Sequence, residues 1–105
     1  MAEKRDALVT GWSRTENKYP LKAGENLKRG RLLKLDGGKL VGANTGDEPH
    51  SILANDVDAT AGDTACIYYV AGTFNANQVD FGTGTEAEFR EAARLKGIFF
   101  DLPNS

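Results

Sequence analysis

The sequence is poor in the residues that build most catalytic and cross-linked sites. It has one cysteine, one histidine, one tryptophan and three prolines in 105 residues. A lone Cys66 excludes an intrachain disulfide, so the fold must rest on apolar burial and hydrogen bonds. A lone His50 has Asp47 and Glu48 as its nearest carboxylates in sequence, with no second histidine or neighbouring cysteine. A metal or catalytic site needs several converging ligands, or a nucleophile with its base, so His50 reads as a surface or loop residue. No stretch approaches the apolar length that spans a bilayer. The first residues, Met1-Ala2-Glu3-Lys4-Arg5-Asp6, lack the apolar centre of a signal peptide.

Positive charge is also missing from a long stretch. No Lys or Arg occurs between Leu40 and Thr85. Residues 1–39 hold ten Lys/Arg against five Asp/Glu, and residues 40–105 hold three against ten. Arg14, Lys18, Lys22, Lys28, Arg29, Arg31 and Lys34, interleaved with Trp12 and Tyr19, raise the question of nucleic acid. The acidic remainder would repel phosphate, which argues against it. A solvated charged surface is the plain reading. Another is that the basic third of one copy meets the acidic middle of the next, which makes Arg29, Arg31, Asp56 and Asp58 candidates for a subunit contact.

What remains is a small β-rich domain. The length allows one domain with a modest core. A hydrophobic content of 40% with 27% charge fits a globular chain, and 12 glycines supply the turns that short strands need. The organising stretch is Thr64 to Phe74, where Cys66-Ile67-Tyr68-Tyr69-Val70 forms an unbroken apolar and aromatic run. Such a run fits a strand buried on both faces, or one shared between a core and a subunit contact.

Residues 1–20 read as a flexible arm, polar with scattered Leu8, Val9, Trp12 and Tyr19 and no sustained period. Trp12 and Tyr19 are costly to leave in water. Either Trp12 packs back on its own domain, or the arm orders against a partner, for instance by adding a strand to a partner sheet. Residues 21–105 form the folded domain.

Leu32 to Val41 is the clearest hairpin. A Gly37-Gly38 loop permits the positive φ angles of a tight turn, and that register sets Asp36 opposite Lys39 and Leu35 opposite Leu40. Gly42 to His50 is a polar loop, and Ser51-Ile52-Leu53-Ala54 a short strand. Asn55 to Asp63 is a turn-rich acidic link. Its Asp56-x-Asp58 opening resembles a calcium loop, but glycine comes one place late and the twelfth-position glutamate is missing, so no metal is assigned.

Gly82-Thr83-Gly84-Thr85-Glu86-Ala87 fits a dinucleotide-binding pattern formally. The chain leaves no room for the rest of that unit, and Glu86 and Glu88 place negative charge where the pyrophosphate would sit. No cofactor is expected. The same residues predict a helix over Glu86–Lys96. Thr85 caps it, Glu88 completes a capping box, Glu86 and Arg90 pair at i,i+4, and Gly97 stops it. Phe89, Ala92, Ala93 and Leu95 are read as its apolar side. Ile98-Phe99-Phe100 is a last strand, and Asp101 to Ser105 an exposed tail.

The order of these pieces resembles the lambda-type head decoration proteins of tailed bacteriophages. The likeness rests on Leu35-Asp36…Lys39-Leu40-Val41, Ile52-Leu53-Ala54, Tyr69 to Phe74 ending in Gly72-Thr73-Phe74, and the helix followed by Gly97 and an apolar strand. It covers roughly residues 20–102. The resemblance implies a mainly β, β-clip-like fold with one short helix near the C-terminus, and no enzymatic activity. It implies homotrimers at three-fold sites of an expanded icosahedral shell, bound to the major capsid protein and bracing the head against packaged DNA. The protein would be made in the host bacterial cytoplasm and end on the virion exterior, with neither nucleic acid nor membrane as partner. In that family an N-terminal arm orders against the capsid. Trp12, Arg14 and Tyr19 are the arm residues whose chemistry suits such a contact. The competing readings are a β-clip ligand-binding or accessory module of a cellular protein, disfavoured by the native Met1 and short tail, and a small enzyme whose carboxylates converge from distant segments.

Overall fold

The computed structural model describes residues 8–101. The chain is mainly β with a single short helix near its C-terminus. In chain order the strands are β1 (Val9–Glu16), β2 (Asn26–Leu27), β3 (Leu32–Asp36), β4 (Lys39–Gly42), β5 (Ser51–Leu53), β6 (Val57–Asp58), β7 (Tyr68–Asn75) and β8 (Ile98–Asp101). The helix α1 (Glu86–Leu95) and a 3-10 turn at Ala76–Gln78 lie between the last two strands. The main sheet runs β1-β7-β5-β3-β4, all antiparallel, and β8 joins β7 in parallel; β2 and β6 form a separate pair.

β7 is the strand around which the rest assembles, and six of its eight residues are buried. It begins at Tyr68, two residues later than the apolar run suggests, because Ala65 to Ile67 pass outside the ladder and leave Ile67 exposed. Tyr69 and Phe74 pack into one hydrophobic cluster with Leu8, Leu32, Ile52, Phe89, Ile98 and Phe100. Tyr68 and Val70 belong to a second, with Leu21, Leu33, Leu40, Leu53 and Cys66. Strict alternation would put Phe74 with Tyr68. The alternation breaks at Gly72, whose φ is +142°, and Phe74 comes to lie 5.3 Å from the Tyr69 ring. A Cβ on Gly72 would fall 2.3 Å from the Trp12 carbonyl oxygen and 2.8 Å from the Ser13 Cα, so this position also lets β1 approach.

The β3–β4 hairpin has the expected register, Asp36 opposite Lys39 and Leu35 opposite Leu40. Both loop glycines take positive φ, +58° and +85°. Leu40 is fully buried because Leu21 bridges to it, whereas Leu35, nearer the open tip, is exposed. The acidic link after β5 contains β6, which the turn-rich composition had hidden.

The helix starts as expected. The Thr85 hydroxyl accepts from the Glu88 N–H at 3.3 Å, and Glu86 pairs with Arg90. The capping box is only half formed, since the Glu88 carboxylate reaches across to accept from the Gly46 N–H at 3.1 Å. Phe89 and Ala93 face the core, but Leu95 is 74% exposed. Six residues on from Phe89 is about 240° around a helix, which puts Leu95 off the apolar stripe.

The arm expectation is corrected over residues 9–16. These form β1, an edge strand of the chain's own sheet, and Leu8 before it is buried in the first cluster. The segment lacks a period because its ladder is irregular: register shifts fall between Val9 and Ser13 and between Arg14 and Thr15. Residues 1–7 of that arm, and the tail beyond Asp101, lie outside the described residues.

Candidate interaction surface

β1 is the most exposed element of the sheet. Only Val9 is partly buried, and Thr10 to Glu16 all face solvent. It is held along one edge by β7, and its ends are fixed. At one end Leu8 is buried and its carbonyl accepts from the Asn75 N–H at 2.8 Å. At the other, the Tyr68 hydroxyl accepts from the backbone N–H of both Lys18 and Tyr19, each at 3.1 Å. Between these points Trp12 is 52% exposed. Among the described residues no ring contact engages its indole, and no hydrogen bond or ion pair engages the Arg14 guanidinium.

The three arm candidates therefore separate. Trp12 and Arg14 stand on the outer surface of β1. Tyr19 belongs to the body of the domain. Its ring lies edge-on to His50 at 5.9 Å, its carbonyl accepts from the Cys66 thiol at 3.5 Å, and Lys18 Nζ lies 5.2 Å from its centroid. It packs against the second hydrophobic cluster.

The four subunit-contact candidates are engaged within the chain. Arg29 donates to the Ala54 carbonyl at 2.7 Å and the Tyr69 hydroxyl at 2.8 Å, and its guanidinium lies 5.5 Å from the Tyr69 ring. The Asp56 carboxylate accepts from the Arg29 backbone N–H at 2.9 Å. Arg31 donates to the Ala43 carbonyl at 2.7 Å and to Asn44 Oδ1 at 3.1 Å. Asp58 accepts from the Thr60 N–H at 3.0 Å and from its hydroxyl, and these bonds hold its carboxyl below the ordinary carboxylate range.

The charge split follows the same rule. Lys34 pairs with Asp47 at 3.2 Å, Lys39 with Asp63 at 2.8 Å, and Lys28 lies 4.0 Å from Asp56. The basic first third thus meets the acidic middle inside one chain. These pairs are solvent-exposed or nearly so and contribute little each.

His50 is half-buried rather than at the surface. Its ring lies 5.8 Å from that of Tyr68, and its Nδ1 is 3.0 Å from the Ser51 hydroxyl. Burial pushes its pKa down, with Lys96 adding to the effect and Glu16 opposing it. A serine beside a histidine invites comparison with a nucleophile and base. Ser51 is fully buried in β5, however, so no substrate carbonyl can reach its oxygen. Burial also pushes the Cys66 thiol up, away from the reactive thiolate.

Among the described residues no group of three His, Cys, Asp or Glu is placed to hold a metal ion. Two shallow depressions of about 240 and 310 Å³ flank Ile67, lined by Thr15, Glu16, Asn17, Asn55, Ala65 and Cys66. The glycine-rich segment before α1 is a packed turn. Asn44 Oδ1 accepts from the Thr83 N–H at 3.1 Å, and the Thr83 hydroxyl accepts from the Thr45 N–H at 3.0 Å.

Sequence reasoning passed over Tyr68 as a polar anchor and Phe99 as an exposed residue. Both carried a signal. A buried tyrosine needs a partner for its hydroxyl. Strand alternation over Ile98-Phe99-Phe100 turns the middle residue outward when its neighbours are inside. No protein-family model matches the chain, and no curated protein matches its sequence.

Proposed function

We propose that this protein decorates the head of a tailed bacteriophage, binding the major capsid protein of the expanded shell as trimers and bracing it against packaged DNA. One observation carries most of the weight. Among the described residues, β1 presents an exposed tryptophan and an arginine without a charge partner on an edge strand. Single exposed apolar residues are ordinary. An exposed tryptophan beside an unmatched cation, on a strand fixed at both ends, suits a docking surface.

The resemblance to lambda-type decoration proteins supplies the identity of the partner. The pieces that carry it fall on the β3–β4 hairpin, β5, β7 with its break of alternation at Gly72, and α1 leading through Gly97 into β8. Trimerisation rests on that resemblance alone, since the charge split is satisfied within one chain. Three docking strands in a trimer would raise a weak contact through effective concentration.

The experiment follows from where the strand is anchored. Deleting residues 1–20 would remove Leu8 from the core, so exposed positions are the better probe. Trp12→Ala with Arg14→Ala is expected to lower occupancy of expanded heads by tenfold or more at a fixed protein concentration, roughly what losing one interface anchor costs. Unchanged occupancy with an unchanged unfolding midpoint contradicts the role given to β1.

A further inference from the structure

The Tyr68 hydroxyl is the point where the exposed strand joins the buried body. Tyr68 is fully buried and its ring belongs to the second hydrophobic cluster. Its oxygen accepts two successive backbone N–H groups, those of Lys18 and Tyr19, just after β1 ends. Immediately beyond, Leu21 is locked in place: its N–H donates to the Thr64 carbonyl at 2.8 Å, and the Thr64 N–H returns to the Leu21 carbonyl at 3.0 Å. Immediately before, β1 is exposed and its ladder with β7 slips twice. Tyr19 closes the joint by resting on His50, with its carbonyl over the Cys66 thiol.

We infer that Tyr68 is a positioning residue for the docking strand: its hydroxyl fixes where β1 leaves the body and so how Trp12 and Arg14 are presented. This rests on the reading of β1 as the shell-binding element. A phenylalanine would fill the same cluster but offer no oxygen to the two N–H groups. Core packing and strand presentation are thereby separable at one position, since the ring serves the first and the hydroxyl the second.

The test compares wild-type protein, Tyr68→Phe and Trp12→Ala by residue-resolved amide exchange and by binding to expanded heads. In Tyr68→Phe, exchange at Lys18, Tyr19 and β1 is expected to speed up about tenfold, as loss of a part-buried hydrogen bond implies, with β3 and β5 nearly unchanged. Cys66, whose thiol donates to the Tyr19 carbonyl, should be alkylated faster in the same variant. Head affinity should fall, although Trp12 and Arg14 are intact. Uniform acceleration across all strands, or no acceleration in β1, overturns the positioning role. Trp12→Ala should lose affinity with unaltered exchange. If wild-type protein and both variants all fail to bind heads, the decoration reading falls, and with it the inference that Tyr68 positions a docking strand. The exchange pattern then reports only whether the clasp itself exists.

Discussion

At the residue scale, Gly72 has the most demanding position in the fold. It turns Phe74 onto the same side as Tyr69, and it makes room for the backbone of Trp12 and Ser13. Gly72→Ala meets both requirements badly. The strained φ alone should cost about 1–3 kcal/mol, and the clash with β1 adds to it. Denaturant unfolding should show the loss in the midpoint; a change under about 0.5 kcal/mol would mean that β1 can move aside freely. The sequence showed a glycine in the strand, but a gap in a strand has several meanings, and only the partner strand decides among them.

His50 makes a second residue-scale prediction. Its folded pKa lies below the unfolded value of 6.5, because burial disfavours the imidazolium. The unfolded chain therefore binds more protons in the window below that value, and stability falls as pH drops through it. His50→Gln should flatten the dependence of the unfolding midpoint between about pH 7.5 and 5.5. An unaltered slope would mean that some other group titrates there. Asp47, Asp58 and Asp63 act at lower pH. Their carboxyls are held below the ordinary value of 3.8 by hydrogen bonds and nearby lysines, so their contribution is present above that value and lost as pH falls further.

At the element scale, the parts with strong local rules were the ones readable in advance. The Gly37-Gly38 turn fixed the register of β3 against β4 because two adjacent positive φ angles leave few alternatives. Thr85 marked the start of α1 for a similar reason, its hydroxyl meeting the Glu88 N–H. Thr85→Ala should destabilise the protein by about 1 kcal/mol, readable by denaturant unfolding. A neutral result would imply that the bond from the Gly46 N–H to the Glu88 carboxylate holds the helix end by itself. β1 was unreadable because its slipped ladder erases the two-residue period that marks a strand. β6 was unreadable because two residues are too few to carry a period at all.

At the scale of the whole molecule, charge was legible as a split but its use was not. Ten cations in the first third and an acidic middle admit a contact between copies or a contact within one. The fold brings β3 and β4 beside the loops that carry Asp47 and Asp63, so the pairs close internally. Among the described residues, the Arg14 guanidinium on exposed β1 is left outside that internal pairing, two residues from the exposed Trp12. The candidate surface thus follows from subtracting what the fold consumes, a step that composition alone cannot take.

The proposed decoration role is tested most directly by co-sedimentation of the purified protein with heads of the phage that would carry it, before and after shell expansion, counting bound copies per capsomer. Saturable binding to expanded heads alone, in multiples of three, is the expected result. Absence of binding to either form, or equal binding to both without saturation, would contradict it.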